Sequence, residues 1–197
     1  MMEFVESGLN FRLADNNCFR IEKHSLALKH HRHSSQNIKA CEFISFIKDR
    51  MVFVEAKKSA PVNTNGKVED LMLNGVKMPD NWTAYDNYTT FLRNITKKFV
   101  DSYNILRAIS EGRHGIEERK NLHLPSTTVD NENIEFVLIL NLPSDAGNVK
   151  RESLSSLRDA LTNEMRPFLS IWRIPSDAVK VCWPEQAQAK YNFLVLA

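Results

Sequence analysis

The sequence predicts an α/β fold with a mixed central sheet flanked by helices, and three observations carry that expectation. Ile38 to Phe46 and Arg50 to Ala56 are β-branched and aromatic runs around the polar pair Lys48-Asp49, the pattern of an antiparallel hairpin. Tyr85, Tyr88, Leu92, Ile95, Phe99, Tyr103, Leu106 and Ile109 recur at the helical period, which predicts one long helix between Asp80, a candidate N-cap, and Gly112, a candidate stop. Ile134 to Leu142 is apolar almost throughout, as in a strand buried on both faces. A helix that carries the chain from a hairpin to such a strand implies a parallel crossover joined to an antiparallel pair, hence a mixed sheet.

The remaining elements follow in order. Asn10 to Leu13 and Cys18 to His24 alternate apolar and polar residues and read as short strands. A basic loop, LKHHRHSSQN, leads to the hairpin. After Pro61 comes a polar excursion with two Asn-Gly pairs, Asn65-Gly66 and Asn74-Gly75; within it VEDLML has room for one helical turn or a short strand. A second helix runs through Leu154, Leu157, Leu161 and Met165 and is expected to end or kink at Pro167. AVKVCW and YNFLVLA read as closing strands. With no repeat, low-complexity tract or linker, residues 1–197 are expected to form one domain.

Composition narrows the function classes. With 43% hydrophobic and 25% charged residues in 197, the chain has enough apolar surface for a well-buried core. A net charge of +2 permits a polyanionic partner but is too small for binding by charge alone. Cys18, Cys41 and Cys182 are far apart and form no Cys-x-x-Cys pair, so neither a disulfide framework nor a zinc ribbon is expected. The first residues carry acids where a signal peptide needs basic residues, and no long apolar run occurs; a cytoplasmic protein without membrane contact is expected. The sequons at Asn81, Asn87 and Asn94 are then coincidental.

The hairpin carries the candidate chemistry. With its turn centred between Lys48 and Asp49, Glu42 lies opposite Glu55, and opposed residues share a face with Cβ atoms about 5 Å apart. Lys57, two residues on, projects to that face; a register that pairs Glu42 with Lys57 instead keeps all three together. Two adjacent carboxylates repel unless one takes a proton or a cation lies between them. Oxygen ligands of this kind suit Mg²⁺ or Mn²⁺, and a nearby lysine suits phosphodiester hydrolysis, where it can hold a water or developing charge.

Glu42 together with Glu55-Ala56-Lys57 resembles the pattern of the PD-(D/E)XK nucleases, whose restriction-endonuclease-like core places an acid on one strand and (Asp/Glu)-x-Lys on the next. The order of elements from Cys18 to Leu142 is similar to that core. The resemblance implies a metal-dependent nuclease, acting on DNA in preference to RNA, with Glu42, Glu55 and the Ala56 carbonyl as ligands of Mg²⁺ or Mn²⁺ and Lys57 as the catalytic lysine. Cys41-Glu42 stands where the family has Pro-Asp, and the additional helical acid is not evident; Glu6 is the candidate for it. The other acid-x-Lys tripeptide, Glu118-Arg119-Lys120, follows no strand and is set aside. Lys58, Arg93 and Lys97 are candidate nucleic-acid contacts, and a homodimer or a partner subunit is compatible with the pattern. Ordinary explanations stand beside these: Glu55 and Lys57 as a solvated strand end with a cross-strand ion pair, Arg93, Lys97 and Lys98 as the solvated face of the long helix, the histidines of KHHRH as solvated loop residues, and Trp82, Trp172 and Trp183 as packing anchors. The alternative function is a non-catalytic module of the same fold that binds nucleic acid or a protein partner.

Overall fold

A computed structural model describes residues 1–13, 18–28, 38–58, 60–64, 67–71, 84–113, 115, 133–141 and 151–195. The KHHRH loop, Asp80, both Asn-Gly pairs, Asn81, Trp82 and the tripeptide at 118–120 lie outside the described residues. The protein is α/β, built on a mixed five-stranded sheet. Its strands are β3 (Cys18–Phe19), β4 (Phe43–Ile47), β5 (Arg50–Lys57), β8 (Ile134–Leu140) and β9 (Val179–Cys182), adjacent in that order. β4 and β5 form the expected hairpin with Ile47 opposite Arg50, and Lys48 takes a positive φ of 58° in the turn. β8 runs parallel to β5, with Glu55 beside Leu138 and Lys57 beside Leu140. All seven residues of β8 are buried, as its apolar run requires.

One face of the sheet is covered by α1 (Ala84–Ser110) and α2 (Arg151–Trp172). The periodic stripe of α1 packs inward as expected: Leu92, Ile95, Phe99, Tyr103, Leu106 and Ile109 are buried. Phe99 and Phe136 meet at 5.4 Å and Phe53 and Phe136 at 5.1 Å, so aromatic rings join helix to sheet, each such burial contributing about 2 kcal/mol. The stop is also as expected: Gly112 adopts φ +72° and its N–H donates to the Ile109 carbonyl. α2 does not end at Pro167 but continues through it to Trp172. The lost hydrogen bond is outweighed by packing beyond the proline, where Leu169 is buried and Phe168 and Trp172 lie 5.2 and 5.0 Å from the Tyr103 ring.

The opposite face is covered by a three-stranded antiparallel sheet, β1 (Met2–Glu6), β2 (Leu9–Leu13) and β10 (Leu194–Val195), together with α3 (Pro184–Tyr191). Phe11, Phe43 and Phe193 form the centre of this second core, with Phe43 at 5.1 Å from Phe11 and 5.4 Å from Phe193. β1 pairs with β2 through the two-residue turn Ser7-Gly8, both at positive φ, as a type I′ hairpin demands. Two short elements differ from expectation. After Phe19 the predicted strand gives way to a 3₁₀ turn at Ile21–Lys23 that buries Ile21, and YNFLVLA is not one strand, because Tyr191 closes α3 and, among the described residues, the strand is Leu194–Val195. The excursion after Pro61 contains a hairpin, β6 (Ala60–Thr64) with β7 (Lys67–Leu71), which settles Lys67–Leu71 as a strand.

Glu135 ties three elements together. It is buried in β8 and accepts from Arg50 at 2.9 Å, from Lys190 at 3.0 Å and from the Tyr191 hydroxyl at 2.5 Å. Burial alone would raise its carboxyl, but Tyr191, Lys190 and Arg50 prevail and hold it below the ordinary carboxylate range. Replacing Glu135 with Ala strands the Tyr191 hydroxyl and is expected to lower unfolding free energy in urea by about 2 kcal/mol, discounted for the partly exposed cations. A loss below about 0.5 kcal/mol would show that the clamp does not anchor α3.

Candidate functional site

The observed hairpin register, Phe43 opposite Val54, places Glu42 across from Glu55 just beyond the end of β4, and the Glu42 N–H donates to the Val54 carbonyl at 3.0 Å. Both lie at the carboxyl end of β5, where β5 and β8 run parallel, the usual position of sites in sheets of this class. Lys57 Nζ is 2.5 Å from Glu55 Oε1. Glu55 and Lys57 therefore meet as the alternation of the strand predicts, and Glu42 lies close enough to Glu55 for their charges to interact.

Two expectations are corrected. The hairpin reading expects the carboxylates to line an open cleft and the basic face of the long helix to point outward. Instead Glu42 is 4% and Glu55 0% exposed. Lys98 of α1 points inward and covers them, its Nζ 2.7 Å from Glu55 Oε1 and 3.5 Å from Glu42 Oε1. The reason is a second stripe on α1. Asn94, Lys98, Asp101 and Ser102 follow helical spacing beside the apolar stripe and face the segment that leads into β4. Asn94 Oδ1 accepts from Lys39 Nζ at 2.5 Å, Asp101 Oδ2 from the Lys39 N–H at 2.9 Å, and Ser102 Oγ from the Cys41 N–H at 2.8 Å. These contacts satisfy backbone donors of a segment that has not yet entered the sheet. They also hold Glu42 over Lys98.

Two more acids complete the cluster. Glu6, at the end of β1, and Glu22, in the 3₁₀ turn, each offer an oxygen to Glu42, the three oxygens lying within 4.8 Å of one another. Two oxygens on one Mg²⁺ at about 2.1 Å lie at most about 4.2 Å apart, a little closer than the limit that bounds this set. Glu6 is held in place by its neighbouring turn. Ser7 Oγ donates to the Ala56 carbonyl at 2.8 Å, and Asn141 Nδ2 donates to the Ser7 carbonyl at 2.9 Å. A Cβ on Gly8 would lie 3.1 Å from Asn141 Nδ2 and 3.3 Å from Lys58 Cε, so the close approach and the positive φ both require glycine. Glu22 is held by Arg20, whose guanidinium also stacks 4.1 Å over the Phe4 ring.

The other sequence-predicted residues divide. Ala56 is buried, its carbonyl accepting from Ser7 Oγ. Lys58 is exposed beside the Ser7-Gly8 turn. Arg93 is exposed, 4.0 Å from Glu164 of α2, and Lys97 pairs with Asp101 at 2.8 Å; neither contacts the carboxylates. Lys98 and Glu22 are the members that sequence reasoning missed. Lys98 was detectable from the polar stripe at 94, 98, 101 and 102, whereas a 3₁₀ turn after a two-residue strand leaves no periodic signal for Glu22.

Burial and neighbouring charges shift the proton affinity of the site. The Glu42 carboxyl is pushed up to about 8, first by burial and then by Glu55, with Lys98 opposing and Glu22 adding. Glu55 Oε2 is buried and has no hydrogen-bond partner among the described residues. An unpartnered buried carboxylate oxygen beside an acid of raised proton affinity is a donor set that fits a hard cation with oxygen ligands. Compared with family models, curated proteins and solved structures, the chain matches none. No helix among the described residues is long and apolar enough to cross a membrane.

Because native Glu42 keeps a proton that the unfolded chain has already released above its ordinary 4.5, stability in the absence of divalent ions falls as pH rises from that value towards 8. Thermal melting in a chelator across that window is expected to show a falling Tm that Glu42→Gln flattens. An equal slope in the two proteins would place the dependence elsewhere.

Proposed function

We propose that the protein is a metal-dependent nuclease with a restriction-endonuclease-like core, hydrolysing phosphodiester bonds of DNA in preference to RNA. The observation that supports this most is the convergence of Glu42, Glu55 and Lys57 at the carboxyl end of β5, with Glu55 Oε2 buried and unpartnered among the described residues. Glu42 and Glu55 would hold Mg²⁺ or Mn²⁺, aided by the Ala56 carbonyl and by Glu6 at the side of Glu42. When bound, the ion would act as a Lewis acid towards the scissile phosphate and lower the pKa of a water. Lys57, partly exposed and pinned at one end by Glu55, would present its remaining N–H groups to that water or to charge developing on the phosphate. Lys58, exposed beside it, would meet the polyanion backbone.

The second reading, a non-catalytic module, is favoured by one observation. Lys57 and Lys98 already neutralise Glu55 from within the protein. Purified protein incubated with plasmid DNA and with RNA in Mn²⁺ separates the two. Cleavage is expected to fall by at least about 10²-fold in Lys57→Ala and in Glu55→Gln, with Tm retained in Lys57→Ala. Cleavage that survives both substitutions removes the proposed site, and nucleic-acid binding without any cleavage by the unaltered protein supports the module.

A further inference from the structure

We infer that Lys98 is a built-in counter-cation of the carboxylate site, one that a divalent ion must displace from Glu42 and Glu55 in order to bind. This rests on the metal-site reading above. The two carboxylates are buried, and a buried carboxylate needs a positive charge or a proton. Lys98 supplies that charge to both at once, at 2.7 and 3.5 Å. Lys57 rests on Glu55 Oε1, whereas Lys98 reaches both that oxygen and Glu42, so an ion that joins the unpartnered Glu55 Oε2 to Glu42 competes with Lys98.

A doubly charged ion bound to these carboxylates would lie within a few ångströms of a fixed ammonium, so the two cations exclude each other. Lys98 is also able to leave. Its side chain keeps 22% of its exposure, and its flexible four-carbon stem reaches solvent by rotamer change alone, while Phe99 and Tyr103, both buried, keep the helix in place. Metal-free protein thus keeps a neutralised core, and the site opens only where divalent ions are abundant enough to win the exchange.

Isothermal titration calorimetry with Mn²⁺ at one fixed pH tests this on the unaltered chain, Lys98→Gln and Lys98→Arg. Lys98→Gln removes the competing charge and is expected to bind Mn²⁺ at least about tenfold more tightly than the unaltered protein. Lys98→Arg, which keeps the charge and can engage a carboxylate with two N–H groups, is expected to bind more weakly than the unaltered protein. Thermal melting gives an independent readout: Lys98→Gln should melt lower in a chelator and gain more from saturating Mn²⁺. If the unaltered protein binds Mn²⁺ and Lys98→Gln binds no more tightly, the exchange is overturned while the metal site stands. If Lys98→Gln does not fold, equal or tighter binding by Lys98→Arg overturns it instead. Absence of Mn²⁺ binding in all three proteins removes both the exchange and the site.

Discussion

A charge at the centre of the sheet constrains everything around it. Glu55 lies in β5 between an antiparallel neighbour and a parallel one, so backbone pairing on both edges prevents the strand from turning its carboxylate towards water. An ion in such a place must be met from inside. Lys57 reaches back along the strand, and α1 contributes Lys98. The demand explains why a helix with a continuous apolar stripe also carries a polar one. It also explains why the chain enters β4 only at Phe43, after Lys39 and Cys41 have given their N–H groups to that helix.

Glu135 is the instructive contrast. It too is buried in a central strand, at the amino end of β8 and so at the other end of the sheet. There two cations and a hydroxyl converge on a single carboxylate, and its affinity for protons falls. At the Glu42 end burial and the neighbouring acids Glu55 and Glu22 outweigh Lys98, and proton affinity rises. The same residue type thus serves as a clamp in one place and holds its proton more tightly in the other.

Much of this was legible in the sequence, for identifiable reasons. The β4–β5 hairpin, the α1 stripe and the β8 run have strong periods and definite punctuation, and each is present, although β4 begins at Phe43 and not at Ile38 because the segment before it bonds to α1. From the hairpin alone, Glu42, Glu55 and Lys57 could be brought to one place, because strand alternation leaves little freedom. The misses share a different cause. α3 buries little beyond Pro184, Ala187 and Tyr191, two turns too short to announce a period, and the continuation of α2 through Pro167 depends on aromatic contacts with Tyr103 that no local rule contains. Lys98 was assigned to solvent because a charged residue beside an apolar stripe usually belongs there. Its partners lie more than forty residues away in sequence.

The pairing of β10 with β2 bears on the order in which the site is built. Leu194 lies opposite Phe11, joining residues from far-separated parts of the chain, and contacts that close such long loops form late in folding. The sheet completed in this way is the one whose first hairpin carries Glu6 to Glu42. The turn beside Glu6 is itself docked from afar, since the Ser7–Ala56 and Asn141–Ser7 bonds join residues 49 and 134 positions apart, so the corner of the site at Glu6 closes only with the tertiary fold.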